Sequence, residues 1–288
     1  MSSTVKIIEC PRDAMQGLRE FVPTALKIKY LQKLVDTGFD ALDFGSFVSA
    51  KAIPQMRDTA DVLASLDLTT NNAQLLAIVA NKRGALEAAQ QDKIKFIGYP
   101  FSVSETFQIR NTNSKIPDSF DIVKAINEIC MSHEKQLVIY LSMAFGNPYG
   151  DIWNAEIVMN WVNELHQLGI KIIALSDTIG VAVPESISYL FKNLIPIYPD
   201  IEFGAHFHTI PLLWKEKVDA AYSSGCMRFD GAINGYGGCP MAKDELTGNM
   251  PTEHLIMYFH EKKLIDHIKL DQFYLAMNTS ELIFEHYH

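Results

Sequence analysis

The chain has 288 residues, of which 48% are apolar and 20% charged, with a formal net charge of −9 and a sequence pI near 5.5. That much apolar content supports a large buried core and excludes disorder. An acidic balance excludes a broad nucleic-acid surface, which needs a basic stripe.

No apolar run approaches the ~20 residues needed to cross a bilayer. The start, Met1-Ser2-Ser3-Thr4-Val5-Lys6, shows neither a signal-peptide nor an import-peptide pattern, so a cytoplasmic location is expected. Cys10, Cys130, Cys226 and Cys239 form no CxxC pair and no dense framework, and free thiols are the expectation.

In chain order, one short apolar run followed by one amphipathic stretch recurs every ~30 residues, the length of a βα unit. The apolar runs predict strands over 5–10, 41–47, 74–80, 94–99, 137–143, 172–176, 202–208 and 228–233. The amphipathic stretches predict helices over 24–37, 54–65, 81–90, 119–132, 153–168, 184–194 and 212–224. Pro54 and Pro184 sit where a proline opens a helix. Residues 251–288 read as two further helices that close a barrel or lie over its mouth.

Strict alternation with strands apolar on both faces means a parallel sheet. Eight units without a break in composition predict a closed TIM (β/α)8 barrel with additional C-terminal helices, a single catalytic domain over 1–288. A dinucleotide-binding fold would want GxGxxG after the first strand, where Cys10-Pro11-Arg12-Asp13-Ala14-Met15-Gln16 stands instead.

Catalytic residues of such barrels come from the C-terminal strand ends, and the polar residues collect there. The ends deliver Arg12 and Asp13, Asp43 and Ser46, Ser142, Asp177 and Thr178, His206 and His208, and Asn234 before Gly235-Tyr236-Gly237-Gly238-Cys239-Pro240. His206 and His208 are two apart on a predicted strand, so both imidazoles leave one face. By itself that pair also suits surface histidines or hydrogen-bonded core histidines, and Asp13 alone suits a helix cap or an ion pair with Arg12. Set across one barrel mouth, an Asp and two His suit a divalent cation with open positions for substrate.

Pro11-Arg12-Asp13, Ser46-Phe47-Val48-Ser49, Asp177-Thr178-Ile179-Gly180, His206-Phe207-His208 and Gly237-Gly238-Cys239-Pro240 with Gly248-Asn249 run in that order along nearly the whole chain. The set resembles the 3-hydroxy-3-methylglutaryl-CoA lyases, metal-dependent TIM-barrel enzymes related to the isopropylmalate and homocitrate synthases. The resemblance implies a carbon–carbon lyase acting on an acyl-CoA. It implies Asp13, His206, His208 and Asn249 as metal ligands, Arg12 as the group that stabilises the enolate oxygen, and Cys239 as the loop cysteine implicated in catalysis. Asp177 then matches the acid near the reacting hydroxyl, and Asp43 takes the place of a family glutamate.

Gln16, Ser142 and Tyr149 are candidates for substrate binding, with Asn111 and Lys115 after strand four, beside Arg110 and Asn113, for the CoA phosphates. Lys51 and Lys243 are similar candidates. The oxygen and imidazole donors lean to Mg²⁺ or Mn²⁺ and also fit Zn²⁺ or Co²⁺. A homodimer is an expectation from the resemblance.

Four departures touch the surroundings of these ligands. Ala14-Met15 replaces Gly-Leu, Thr209 replaces an Asp or Asn, Asp43 is one methylene shorter than Glu, and the stretch from Cys239 to Asn249 is one residue longer. The alternatives are a Claisen condensing synthase, a 4-hydroxy-2-oxoacid aldolase, or a barrel that binds metal and acyl-CoA without turnover.

Overall fold

The computed structural model describes residues 4–69, 72–238 and 247–287. Eight strands run in parallel: β1 (Lys6–Glu9), β2 (Ala41–Ser46), β3 (Gln74–Ile78), β4 (Ile94–Ser102), β5 (Gln136–Ser142), β6 (Ile172–Asp177), β7 (Glu202–Thr209) and β8 (Arg228–Gly231). Consecutive strands pair, and β8 pairs with β1 to close the ring as a (β/α)8 barrel. Every residue of β2, β6 and β8 is buried, because a barrel strand has the helix layer behind it and the other strands in front. Inward side chains fill the lower barrel, with Leu76, Val138 and Ile172 on one side and Ile8 and Ala41 on the other, joined by Phe96.

The outer layer comprises α1 (Pro11–Met15), α2 (Thr24–Thr37), α3 (Thr59–Ser65), α4 (Lys82–Ala89), α5 (Glu105–Thr112), α6 (Ile116–Ser132), α7 (Ala155–Gln167), α8 (Pro184–Ile197), α9 (Trp214–Ser223), α10 (Thr252–Glu261) and α11 (Leu270–Phe284). Local chemistry sets their ends. The Asn81 and Asn154 side chains accept the backbone N–H groups of Gly84 and Ile157 at α4 and α7, which satisfies otherwise orphaned donors.

Two expected helices divide differently. The stretch 54–65 is a 3₁₀ turn (Pro54–Met56) followed by α3, because Asp58 leaves helical geometry between them and takes the buried Lys27 ammonium at 2.7 Å. The segment after β4 carries α5, where no helix was expected. Only Phe107 and Gln108 of α5 are buried, too few to give a readable period. Ser104 instead starts it by accepting the N–H of Phe107, and Asn113 stops it at φ 53°.

The two C-terminal helices complete the outer ring. Phe273 and Phe284 of α11 meet Phe39 and Tyr30 edge-on, with ring centroids 6.2 and 6.3 Å apart. A short strand β9 (Gly248–Asn249) lies antiparallel on the end of β7 and sets Asn249 opposite His208.

Candidate active site

A cavity of about 210 Å³ opens at the C-terminal end of the barrel. Its polar lining includes Arg12, Asp13, Gln16, Ser142, His206 and His208, and its apolar lining includes Val48, Ile53, Ile78, Val79 and Phe107.

Arg12 and Asp13 reach it from α1, the single helical turn that follows β1. The Arg12 guanidinium grips both oxygens of Asp43, with Nη2 donating to Oδ2 at 2.6 Å and Nε at 3.0 Å to the same atom and 3.2 Å to Oδ1. Its Nη1 donates to Asp13 Oδ1 at 3.1 Å and to Gln16 Oε1 at 2.8 Å. This fork leaves little freedom of rotation. Burial works against the charge on Arg12, but Asp43 and Asp13 outweigh it and raise its pKa. Burial lifts Asp43 to about 6 against the pull of Arg12.

The other oxygen of Asp13 takes its partner from far along the chain, with Asn249 Nδ2 donating to Oδ2 at 2.8 Å. Burial would raise its pKa, yet Arg12, His206 and His208 hold it below the ordinary value. One ligand atom each of Asp13, His206 and His208 lie within 4.8 Å of one another. An oxygen and two imidazole nitrogens so placed, with Asn249 alongside, fit a divalent cation of the Mg²⁺, Mn²⁺ or Zn²⁺ kind.

The two histidines differ electrically. Burial opposes protonation of His206, but the hydrogen bond and charge of Asp230 prevail and raise its pKa. Burial, helped by His206, pushes His208 down to about 4. His208 is therefore a neutral imidazole at physiological pH, the form that ligates metal.

Some expected site residues stand elsewhere. Asp177 does not line the cavity. It points outward from β6 with no exposed surface and accepts Lys217 Nζ at 2.7 Å and the N–H groups of Val181 and Ala182 at 2.8 and 3.0 Å. Burial raises its pKa, against the Lys217 charge. Its chain neighbours Ser176 and Thr178, one step either way, face the cavity instead, as strand alternation requires.

Asn111 lines the cavity from α5, whereas Lys115 is exposed at the start of α6. Tyr149 lies outside the lining and stacks under the Arg110 guanidinium at 4.7 Å. Cys239 and Lys243 fall outside the described residues. The described base of their segment packs on α1: a Cβ at Gly237 (φ 88°) would come within 2.7 Å of Ala14 Cα and 2.8 Å of the Asp13 carbonyl oxygen. Only glycine fits there.

Sequence reasoning missed two supports. Lys217, buried on α9, donates to the His208 and Gly180 carbonyl oxygens at 2.9 Å as well as to Asp177. Nothing near it in sequence signals that. The second is Asp230, whose Oδ2 lies 3.1 Å from His206 Nδ1. Its signal was present, since Arg228 and Asp230 are charged residues two apart on a strand buried on both faces.

The profile of the HMGL-like family matches residues 4–281. The chain is 31% identical over 271 residues to the hydroxymethylglutaryl-CoA lyase YngG of Bacillus subtilis, covering 94% of this chain and 90% of that protein. It is 32% identical over 255 residues to the 3-hydroxy-3-isohexenylglutaryl-CoA/hydroxy-methylglutaryl-CoA lyase of Pseudomonas aeruginosa, covering 88% and 83%. Among solved structures, an HMG-CoA lyase from Acinetobacter baumannii in complex with coenzyme A and 3-methylmalate superposes with a TM-score of 0.90 at 30% identity, over 99% of this chain and 93% of that one.

Proposed function

The chain belongs to the HMGL-like family and is a carbon–carbon lyase, and from that premise we propose that it cleaves 3-hydroxy-3-methylglutaryl-CoA, or a close 3-hydroxyacyl-CoA, into acetyl-CoA and acetoacetate. The observation that carries this reading is the convergence of Asp13, His206 and His208 within 4.8 Å beside a guanidinium locked by Asp43, all on one cavity.

The reaction breaks the C2–C3 bond. The C3 hydroxyl loses its proton and becomes a ketone, the bonding pair passes to the thioester as an enolate, and C2 then takes a proton. Asp13, His206, His208 and Asn249 would hold the cation, Mg²⁺ or Mn²⁺ in this reading, with Zn²⁺ and Co²⁺ compatible with the same donors. A cation there supplies Lewis-acid polarisation of the hydroxyl and a template for the acyl group.

Arg12 stabilises the enolate oxygen. Its charge is permanent, its direction is fixed by Asp43, and it needs no reorganisation as negative charge develops. Of the titratable side chains among the described residues, Arg12, Asp13, Tyr140, His206 and His208 line the cavity. Each imidazole spends one nitrogen on the cation and the other on a hydrogen bond, so the hydroxyl proton goes to Asp13, and Asp177, sealed behind Lys217, serves as a support for the strand end. Cys239 is assigned as the donor of the proton to C2, since its segment leaves the Asp13 corner at Gly237. Gln16, Ser142 and Asn111 line the path of the acyl-CoA, with Tyr149 and Lys115 farther out. The apolar lining of Val48, Ile53, Ile78, Val79 and Phe107 supports a second reading of the substrate, in which the group on C3 is larger than methyl.

Among the described residues no helix is long and apolar enough to cross a membrane. The cytoplasm and a homodimer belong to the same reading, and sedimentation velocity tests the latter. The decisive assay strips metal from the protein, adds 3-hydroxy-3-methylglutaryl-CoA and restores Mg²⁺ or Mn²⁺. Metal-dependent release of both acetoacetate and acetyl-CoA is expected. No release from this substrate, with release from one bearing a longer C3 substituent, would move the assignment to the second reading.

A further inference from the structure

His206 sits inside the barrel on β7, and its register partner on β8 is Asp230. His206 Nδ1 lies 3.1 Å from Asp230 Oδ2, and the Asp230 side chain has no exposed surface. With the Asp230 carboxylate as the acceptor of this contact, Nδ1 carries the hydrogen and Nε2 keeps its lone pair.

Arg228 stands two residues earlier on the same strand, as buried as Asp230. Its Nε stands 3.9 Å from Asp230 Oδ1, and its Nη1 is anchored by Glu202 Oε1 at 3.1 Å. The Tyr140 ring packs edge-on against the imidazole, with centroids 5.2 Å apart. His208 has no carboxylate of this kind among the described residues. Its ring is hydrogen-bonded to the Thr247 backbone.

We propose that Asp230, with the Arg228 charge beside it, is the positioning residue of the site: it fixes the tautomer and tilt of His206 so that Nε2 is presented to the cation. This rests on the metal-site reading above. It extends that reading from the groups that touch the ion to a buried pair that does not, and pairs of this type govern affinity in histidine-ligated metal sites.

The test needs no substrate. With ¹⁵N-labelled histidine, NMR of the metal-free wild type at alkaline pH is expected to show the His206 resonance, assigned by its loss in His206→Gln, with Nδ1 protonated and Nε2 bare. Asp230→Asn is expected to lower Mn²⁺ affinity by about 10- to 100-fold, read by electron paramagnetic resonance, with a circular dichroism spectrum like that of the wild type. An Nε2-protonated His206 in the wild type overturns the proposal whether or not the variant folds. So does a folded Asp230→Asn whose Mn²⁺ affinity moves by less than about twofold. A wild type that binds Mn²⁺ in this manner and cleaves no 3-hydroxyacyl-CoA removes the proposed substrate and leaves the role of Asp230 standing.

Discussion

At the scale of single residues, the site turns on a guanidinium that is aimed as well as charged. Arg12 spends Nε and Nη2 on Asp43 and Nη1 on Asp13 and Gln16, so its plane is set before substrate arrives. Arg12→Lys keeps the charge and loses the fork, and kcat is expected to fall by about 10²- to 10³-fold, the usual cost of one preorganised donor. Steady-state kinetics at saturating metal checks this, and a lysine variant within about threefold of wild type would sink the role in enolate stabilisation. Asp43→Asn leaves Arg12 in place but loosens its aim, and a smaller loss in kcat with little change in KM is expected. Much of this was legible in the sequence, because Arg12-Asp13 and His206-Phe207-His208 carry their chemistry within a few residues. Asp177 was read as facing the cavity because it ends a strand. Whether a strand-end residue points in or out depends on register and on a partner, and its partner Lys217 lies 40 residues farther on.

At the scale of elements, two buried tethers hold the strand ends, and neither is visible as a motif. Lys217 crosses from α9 to bind the ends of β6 and β7, through Asp177 and the carbonyl oxygens of Gly180 and His208. Lys217→Met leaves Asp177 as an unpaired buried charge and should destabilise the fold by about 3–5 kcal/mol, seen as a lower Tm and weaker metal binding together. A Tm within about 1 °C of wild type would show that the ends hold without it. Glu9 is the second tether. It accepts the Ile233 N–H at 3.0 Å and pairs with the Thr252 hydroxyl, joining β1 to both sides of the segment that runs from β8 to α10. Burial lifts its pKa from 4.5 to about 8. A carboxyl raised in the folded state contributes stability that is full below about 4.5 and is lost as pH climbs through about 8, because the unfolded chain releases the proton first. Glu9→Gln makes the same contacts and cannot ionise. The Tm of wild type relative to this variant should therefore fall across that window, and parallel Tm curves would refute the assignment. The strands were legible because burial on both faces leaves unbroken apolar runs. Helix α5 was not, since one buried aromatic and a polar cap give no period to read.

At the scale of the molecule, the metal site joins chain segments that are far apart. Asp13 follows β1, both histidines come from β7, and Asn249, which hydrogen-bonds Asp13 across 236 residues, lies on β9. None of these donors is preassembled in the unfolded chain, so a divalent cation binds the folded state almost alone and stabilises it by mass action. At a concentration about 100 times Kd the gain is about 2.7 kcal/mol, which for a domain of this size raises Tm by about 5 °C. A thermal scan with Mn²⁺, repeated with chelator, should show that rise and its reversal in the wild type. Asp13→Ala is expected to melt close to the chelated wild type and to gain nothing from Mn²⁺, because a carboxylate ligand of the ion is gone. His208→Ala should behave in the same way, since its imidazole is the donor held neutral for the ion. An equal Mn²⁺ shift in the wild type and in Asp13→Ala would place the ion somewhere other than this cavity. A shift that vanishes in both variants would show that one cation ties α1 to the end of β7, so that loading the site and fixing this part of the barrel mouth are a single event.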